Sequence, residues 1–167
     1  HDLLRPERWE GKIPKTAGEL VIAVGASFLG TPYAPCTLEQ EEEKNLVINL
    51  RQLDCFTFVE NTVMIARLIQ AGRMAFTDFA AALKAARYRQ GLLQGYSSRL
   101  HYFSDWLYDN QEIGLLEDRT REIGGEPFRK KIAFMTANRD KYPALQCQDE
   151  YRRMQEVEQN CSGRLLH

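Results

Sequence analysis

Residues 53–63 have the sequence Leu53-Asp54-Cys55-Phe56-Thr57-Phe58-Val59-Glu60-Asn61-Thr62-Val63. This pattern predicts the start of a buried helix. Asp54 is the predicted N-cap, because its carboxylate can accept a hydrogen bond from a free amide of the first turn. Leu53 and Phe58 occupy the two positions of a hydrophobic staple around that cap. Cys55 is then the first helical residue.

The position of Cys55 leaves two interpretations open. The free amides and the positive end of the helix dipole bias a thiol at this place toward the thiolate, which is the form that attacks carbonyl groups. A free cysteine is also commonly a small apolar core residue. The local pattern therefore makes Cys55 either a nucleophile or part of the core.

The composition is typical of one globular domain. The chain has 167 residues, of which 44% are hydrophobic and 27% charged, and its formal net charge is -1. Because it contains no cluster of Lys and Arg, we expect no nucleic-acid partner. No apolar run approaches the ~20 residues that a membrane-spanning helix needs, so no membrane span is expected. The chain begins at His1 rather than Met, and we expect that processing or trimming removed what came before.

The four cysteines do not have the spacing of a metal site. No two of them form a C-x-x-C pair, and no two histidines are spaced as ligands, so we predict neither a structural zinc nor a cofactor. Cys147 and Cys161 flank a predicted helix over residues 150–160, which holds its ends about 15 Å apart. A disulfide needs Cα atoms within about 7 Å, so both are expected to be free thiols.

The apolar periodicity predicts a mainly α fold with minor β structure. Thr16 and Glu19 form a capping box for a helix that runs to about residue 29. The helix that starts at Cys55 is apolar around most of its circumference, which places it at the centre of the domain. Gly72 is expected to end that helix.

Shorter elements complete the prediction of a single, mainly helical domain over residues 1–167. The second half of residues 96–106 predicts a helix that packs Phe103, Trp106 and Leu107 inward. The other predicted elements are helices over residues 76–88, 130–138 and 150–160, a strand over 45–50, a solvated acidic loop over 39–44, and an exposed strand or irregular run over 115–123.

Two further segments could carry chemistry. Residues 96–106 concentrate polar and aromatic side chains, among them Arg99, whose planar fork suits a carboxylate, and His101, the one non-terminal histidine. An ordinary loop and helix start is an equally good interpretation of that segment. The rigid loop Gly30-Thr31-Pro32-Tyr33 offers an aromatic wall for a pocket, although loops of this kind are usually simple connections.

Taken together, these segments are more specific than any one of them. In chain order they are Gly30-Thr31-Pro32-Tyr33 with Thr37-Leu38-Glu39, Leu46-Val47-Ile48-Asn49-Leu50, Leu53-Asp54-Cys55-Phe56-Thr57-Phe58-Val59-Glu60-Asn61, Ser97-Ser98-Arg99-Leu100-His101-Tyr102, and Asp105-Trp106. The series closely resembles the bacterial N-acetylmuramoyl-L-alanine amidase-like family of the NlpC-type, papain-like cysteine peptidase clan. The resemblance extends from about residue 20 to the end of the chain.

The resemblance implies an enzyme of peptidoglycan turnover with a muropeptide or peptidoglycan fragment as substrate. Such enzymes cut the amide between muramic or anhydro-muramic acid and the L-alanine of the stem peptide. It implies that Cys55 is the nucleophile, and that Tyr33 and four residues of the later segment line the substrate cleft: Ser98, Arg99, His101 and Tyr102. It also implies a periplasmic or secreted protein.

One departure from the family pattern affects the expected mechanism. Family members continue into a largely β segment that carries the general-base histidine, in a Ser-His-Val-Gly type stretch, and these 167 residues contain no such stretch. We therefore expect the helical, N-terminal part of a longer enzyme, whose complete fold is NlpC-type papain-like α+β. Otherwise His101 would have to serve as the base.

Two other functions remain as alternatives. The first is a non-catalytic helical module that binds cell-wall fragments or docks onto a partner domain. The second is another papain-like activity, such as an endopeptidase that cuts between residues of the stem peptide.

Overall fold

The computed structural model describes residues 4–11, 13–39 and 43–164. Its α-helices are α1 (Pro6–Trp9), α2 (Ala17–Ala26), α3 (Cys55–Gln70), α4 (Phe76–Arg87), α5 (Phe103–Glu112), α6 (Phe134–Ala137) and α7 (Gln148–Gly163). Single 3₁₀ turns cover Arg89–Gly91, Tyr96–Ser98, Arg139–Lys141 and Pro143–Gln146. The β structure of the described residues consists of isolated bridges such as Tyr33–Leu53 and Tyr88–Arg99. The predicted mainly α fold with minor β structure is confirmed.

The chain divides into two compact units. The first comprises the described residues within His1–Glu39 and Leu46–Ala85, and the second those within Gln40–Asn45 and Ala86–His167. Each unit is built around its own helix packing.

In the first unit, α2 packs along α3. A Cβ on Gly25 of α2 would lie 3.4 Å from the ring of Phe58, in ordinary van der Waals contact, so the two helices are closely packed at this point. Phe28 meets Phe58 edge-on, with ring centroids 6.1 Å apart. The side chains of Leu20 and Val24 fill the core on the α2 side, and the predicted capping box between Thr16 and Glu19 is present at the start of the helix. The helix ends at Ala26, three residues before the predicted end.

Helix α3 is buried along most of its length, as its sequence predicts. Apolar Met64, Ile65 and Ile69 are almost fully buried. The helix ends in a Schellman motif, because the Gly72 amide donates to the Ile69 carbonyl at 3.1 Å and the Arg73 amide to the Leu68 carbonyl at 2.9 Å. Gly72 has a φ of +66°, which favours glycine at this position and explains why the helix ends there.

In the second unit, α6 and the 3₁₀ turns Tyr96–Ser98 and Pro143–Gln146 pack on α7. One buried cluster in the core of this unit consists of Tyr96, Met135, Ala144, Leu145 and Met154. Helix α7 is longer at both ends than the predicted 150–160; Cys147 is its N-cap residue, Cys161 lies in its last turn, and both are free thiols. The prediction that these two cysteines are not bridged is confirmed.

Two of the predicted elements are wrong: one does not form, and one is shorter than predicted. Residues 45–50 do not form a strand, and residues 46–50 are half-buried; the Asn49 side chain accepts hydrogen bonds from the Arg51 and Gln52 amides and turns the chain. The helix predicted over 130–138 covers only Phe134–Ala137, because the Ile132 amide donates to the Ser162 hydroxyl at 2.8 Å. Residues 115–123 are irregular, the second of the two predicted outcomes.

The helix predicted in the second half of residues 96–106 forms as α5, with one residue misplaced. Trp106 is buried and Leu107 half-buried, as predicted. Phe103 is 60% exposed and stacks on Trp106 with ring centroids 6.1 Å apart. As the first helical residue, Phe103 lies beside the core rather than in it.

The acidic run over residues 39–44 is not a fully solvated loop. Glu43 is 4% exposed, so this carboxylate is buried. Residues 40–42 lie outside the described part of the chain.

Candidate active site

Cys55 is the first residue of α3, and its position is fixed by a capping box. The Asp54 carboxylate accepts a hydrogen bond from the Thr57 amide at 2.7 Å, and the Asp54 amide donates to the Thr57 hydroxyl at 3.0 Å. The predicted N-cap at Asp54 is therefore confirmed. Threonine replaces the usual Glu or Gln at the third helical position.

The Cys55 thiol is exposed, which excludes its interpretation as a core residue. The Thr57 amide is taken by the cap, and helix geometry leaves the amides before it without an intrahelical partner. A negative charge at the thiol would therefore lie at the positive end of a sixteen-residue helix.

The surface around Cys55 on α3 is partly apolar. Phe58 and Val59 follow Cys55 at the i+3 and i+4 positions and so share its face of the helix. Phe58 is 38% exposed and Val59 43%. The predicted staple partner Leu53 is buried, and the contact that is seen for Phe58 is with Phe28.

Tyr33 is brought next to the chain that enters α3. Its segment forms a parallel bridge with Leu53, in which the Leu53 amide donates to the Pro32 carbonyl and the Ala34 amide to the Leu53 carbonyl, both at 3.1 Å. The Tyr33 side chain is 70% exposed. The backbone of this loop is therefore paired with Leu53, two residues before Cys55 in the chain, and both lie in the first unit.

The other predicted site residues lie in the second unit, on the segment Tyr96–Tyr102. Its start is held by Glu150 of α7, whose carboxylate accepts from the Ser97 amide at 2.7 Å. The Ser98 hydroxyl donates to the Gly95 carbonyl at 2.7 Å and accepts from the Gln94 amide at 2.9 Å. The Ser98 hydroxyl is therefore engaged in the turn.

Arg99 is buried and already has a carboxylate partner. Its Nε lies 3.1 Å from Glu43, and its guanidinium stacks over the Tyr96 ring at 5.1 Å. The Tyr88 hydroxyl donates to the other oxygen of Glu43 at 2.7 Å. Burial, followed by the hydrogen bond to Glu43, raises the pKa of Tyr88 well above its ordinary value. A substrate carboxylate would have to compete with Glu43 for Arg99.

His101 is half-buried and held by the backbone. Its Nε2 lies 2.8 Å from the Tyr96 carbonyl, which can only accept, so the hydrogen bond assigns the proton to Nε2. The ring also packs on the Tyr96 ring at 4.3 Å between centroids. Burial, followed by the positive charge of Arg99, holds the pKa of His101 well below its ordinary value. His101 is therefore neutral at pH 7 and a weak base, which favours a structural role.

Tyr102 ends the segment in a buried cluster. Its hydroxyl donates to Glu158 of α7 at 2.5 Å and accepts from the Met135 amide at 3.0 Å. Glu158 also accepts from the Met135 and Thr136 amides and from the Thr136 hydroxyl. Burial, followed by the hydrogen bond to Glu158, raises the pKa of Tyr102 above its ordinary value. The cluster joins the segment to α6 and α7.

Three glutamates, Glu43, Glu150 and Glu158, were not among the predicted site residues. Each lies more than 50 residues from its partner in the segment, with separations of 56, 53 and 56 residues. Glu150 and Glu158 lie four residues before and after the buried Met154 and so share its face of α7, a helical spacing that is the one local signal for them. Glu43 lies in an acidic run, where no local pattern predicts its burial.

A second buried charge network lies on α5. Asp105 accepts two hydrogen bonds from Arg89, at 3.1 and 2.7 Å, and one from Arg164 at 2.6 Å. Burial alone would raise the pKa of Asp105, but the two arginines outweigh it and hold the pKa below its usual value. The neighbouring Cys161 is buried, and burial followed by Asp105 raises its thiol pKa to about 12. Cys161 therefore has the opposite environment to the exposed Cys55.

The described residues offer neither a metal site nor a membrane-spanning helix. Within residues 4–11, 13–39 and 43–164, no three His, Cys, Asp or Glu side chains lie together as metal ligands. In the same ranges, the length and hydropathy of every helix fall short of what crossing a bilayer requires.

The chain is similar to several solved structures. An N-acetylmuramoyl-L-alanine amidase from Bacteroides uniformis ATCC 8492 is 32% identical, with a TM-score of 0.84 over 90% of this chain and 64% of that one. A Bacteroides fragilis protein named as a candidate xylanase is 36% identical, with a TM-score of 0.80 over 87% of this chain and 63% of that one.

A third structure shows likeness in the fold alone. Protein LPG0564 from Legionella pneumophila str. Philadelphia 1, of family DUF1460, is 21% identical, with a TM-score of 0.64 over 98% of this chain and 58% of that one. The chain thus spans less than two thirds of the length of these three proteins. No curated protein matches it.

The family assignment rests on a match that covers most of the chain. The AmiA-like model, described as N-acetylmuramoyl-L-alanine amidase-like, matches residues 23–162, a range that includes Tyr33, Cys55 and the whole Tyr96–Tyr102 segment. The chain belongs to the AmiA-like family of N-acetylmuramoyl-L-alanine amidase-like proteins.

Proposed function

We propose that this chain belongs to a cell-wall amidase that uses Cys55 as its nucleophile. The proposed reaction is hydrolysis of the amide between muramic or anhydro-muramic acid and the L-alanine of the stem peptide. The observation that carries the proposal is the exposed, free thiol at the capped N-terminus of α3, in a chain of the AmiA-like family.

In the first proposed step, the Cys55 thiolate attacks the carbonyl carbon of the scissile amide. A histidine takes the thiol proton and returns it to the leaving amine, so that the C–N bond breaks and a thioester forms. Water then hydrolyses the thioester, releasing the carboxylic acid and restoring the thiol. A backbone amide near the start of α3 is the proposed donor to the oxyanion, because these amides have no intrahelical partner.

The proposed base is a histidine other than His101. The Nε2 of His101 is bound to the Tyr96 carbonyl, and its pKa lies well below the ordinary value because of burial and then the charge of Arg99. A base that weak holds the thiol proton poorly. We propose instead that the complete protein has the NlpC-type papain-like α+β fold, and that the base lies in its β part.

Substrate contacts are proposed for Tyr33 and for the Tyr96–Tyr102 segment. The exposed ring of Tyr33, together with Phe58 and Val59, offers an apolar surface beside the thiol. Ser98, Arg99, His101 and Tyr102 are proposed to shape the cleft rather than to supply free polar groups, since each is engaged within its own unit. We also propose that the protein works in the periplasm or outside the cell, where its substrate occurs.

Mass spectrometry of the products tests this reaction directly. The full-length protein is incubated with muropeptides, and the released fragments are weighed. A free stem peptide that begins with L-alanine supports the amidase. Fragments cut within the stem peptide indicate an endopeptidase, and reducing sugar released from xylan indicates the activity for which the Bacteroides fragilis protein is named.

Alkylation separates the catalytic proposal from a non-catalytic binding module. Iodoacetamide is applied across a pH series and the modified thiols are mapped. An activated nucleophile requires Cys55 to be labelled well below pH 8 and ahead of Cys36 and Cys147, which are also exposed. Uniformly slow labelling of the three thiols would support the binding module instead.

A further inference from the structure

The second unit contains an open cleft for which the mechanism above has no use. Its volume is about 440 Å³. One wall is formed by Leu92, Gln94 and Ser98, and the other by Arg153, Val157 and Asn160 of α7. Ser98 is the one residue of this cleft that the sequence predicts as a substrate contact.

The lining of the cleft combines an apolar strip with exposed amide groups. Leu92 is 49% exposed, and Val157 of the facing wall is half-buried. The side chains of Gln94 and Asn160 are exposed, and each amide can both donate and accept hydrogen bonds. This combination suits peptide bonds that carry small apolar side chains.

The side chain of Arg153 gives the cleft a positive charge that is only weakly paired. The Arg153 guanidinium is 58% exposed, and its two contacts are long, 3.4 Å to the Gln94 carbonyl and 3.6 Å to Glu150. The other arginine of the lining, Arg89, is fixed by two hydrogen bonds to Asp105. Arg153 can exchange its long contacts for the two oxygens of a ligand carboxylate, a geometry that guanidinium favours.

A negatively charged residue, Glu156, follows Arg153 by three positions on the same helix. Glu156 of α7 also lines the cleft and is exposed. Residues three apart on a helix share a face, so the cleft presents one positive and one negative group side by side. A ligand that carries a carboxylate and an ammonium group complements both.

We propose that this cleft binds a short zwitterionic peptide with small apolar side chains, its carboxylate at Arg153 and its ammonium at Glu156. Naming the cell-wall stem peptide as the natural ligand rests on the proposed function. The peptide chemistry of the cleft rests on its lining alone.

Binding is measured by NMR titration of the full-length Cys55→Ala protein, which keeps the ligand intact. The probe is the synthetic tripeptide L-alanyl-L-alanyl-L-alanine, which carries one ammonium, one carboxylate and small apolar side chains, and the uncharged N-acetylglucosamine is the sugar-only comparison. The side-chain amide signals of Gln94 and Asn160 are expected to shift with the peptide and to stay unchanged with the sugar. Shifts with the sugar alone, or no shift with either probe, would overturn the proposal.

Two neighbouring arginines give a matched pair of variants. Arg152 is 68% exposed and pairs weakly with Asp149, like Arg153 with Glu150, but it does not line the cleft. Arg153→Gln is expected to weaken peptide binding roughly tenfold, the usual effect of losing a charge-assisted hydrogen bond, whereas Arg152→Gln leaves it unchanged. Equal affinities for the two variants would rule out Arg153 as the carboxylate partner.

The ammonium contact has its own control in the probe. Acetylation of the peptide amino group removes its charge and is expected to weaken binding to the wild-type cleft more than to the Glu156→Gln variant. If acetylation has the same effect on both proteins, Glu156 does not contact the ammonium. Failure of hydrolysis in the muropeptide assay would refute the amidase and leave these binding results intact.

Discussion

The start of α3 and the Tyr96–Tyr102 segment are built in opposite ways. At the start of α3, the bonds of the cap join Asp54 and Thr57, which are three residues apart. The Tyr96–Tyr102 segment depends on carboxylates 53 to 56 residues away in the chain. The first region leaves its polar group, the Cys55 thiol, exposed, and the second engages nearly all of its polar groups internally.

The difference indicates that the start of α3 carries the reactive group, whereas the Tyr96–Tyr102 segment stabilises the fold. A short-range cap can present a thiol to solvent because it needs no surrounding structure to hold it. Buried ion pairs and hydrogen bonds rigidify a segment, but they leave it few groups for a ligand. The predictions below test whether chemistry belongs to the first region and stability to the second.

The largest effect is expected at Cys55. Cys55→Ala should lower kcat/KM for amide hydrolysis by about 10³-fold or more, because alanine has no thiol with which to form the thioester. The matched control is Cys147→Ala, which removes another exposed thiol. Both variants are assayed by mass spectrometry of muropeptide products. Full activity in Cys55→Ala would place the chemistry elsewhere in the protein.

The next effect is expected at Glu43, the long-range partner of Arg99 and Tyr88. Glu43→Ala leaves the Arg99 side chain, which is 9% exposed, without this carboxylate. Loss of one partner of a buried ion pair typically costs about 3 kcal/mol or more, so the free energy of unfolding should fall by that amount. Urea denaturation followed by circular dichroism measures it.

The control for Glu43 is Glu122→Ala, which removes the exposed partner of Arg119 and should change the free energy of unfolding very little. Equal effects of the two variants would mean that Glu43 does not support its segment.

A smaller, pH-dependent effect is expected at His101. Its pKa in the native protein is lowered by burial and then by the charge of Arg99, while Arg89 also lowers it and Asp105 acts in the opposite direction. An unfolded histidine has a pKa of about 6.5, so between this value and the native one only the unfolded chain binds the proton. The native state should therefore lose stability as the pH falls below about 6.5.

Thermal unfolding at pH 7 and pH 5 measures this loss. The His101→Gln variant should lose less between the two pH values than the wild type, because it lacks the imidazole of His101, which takes up a proton on unfolding in this range. Burial also raises the pKa of Asp109. Because Asp109 is present in both proteins, the comparison cancels its contribution. Identical losses would show that His101 is not the group responsible.

The smallest effect is expected at Asp54, although it lies next to the thiol. Asp54→Ala removes the acceptor of the Thr57 amide, and loss of an N-cap typically costs about 1 kcal/mol. Asp54→Asn keeps an acceptor and should retain most of the stability. A loss as large as that of Glu43→Ala would contradict the view that long-range contacts contribute more to stability than local ones.

The elements that the sequence predicted well share one property. The caps at Thr16 and Asp54 and the end of α3 at Gly72 depend on residues within one or two helical turns. The spacing of Phe79 and Leu83 likewise placed α4 within one residue of its observed end. Local patterns of this kind are complete in the sequence, because the chain itself holds the partners close together.

The incorrect predictions share the opposite property. The burial of Glu43, the exposure of Phe103 and the shortness of α6 each depend on a residue that is not a close neighbour, or on where the core ends. An acidic run or an apolar residue has the same appearance in the sequence whether or not a distant partner covers it.

The sequence by itself determined that a cysteine stands at the capped start of a central helix and that the chain is mainly helical. Only the tertiary structure decided that Cys55 is exposed while Cys161 is buried, and that Arg99 is occupied by Glu43. The physical reason is range: capping and periodicity act over three or four residues, whereas burial and ion pairing depend on what folding brings together from far along the chain.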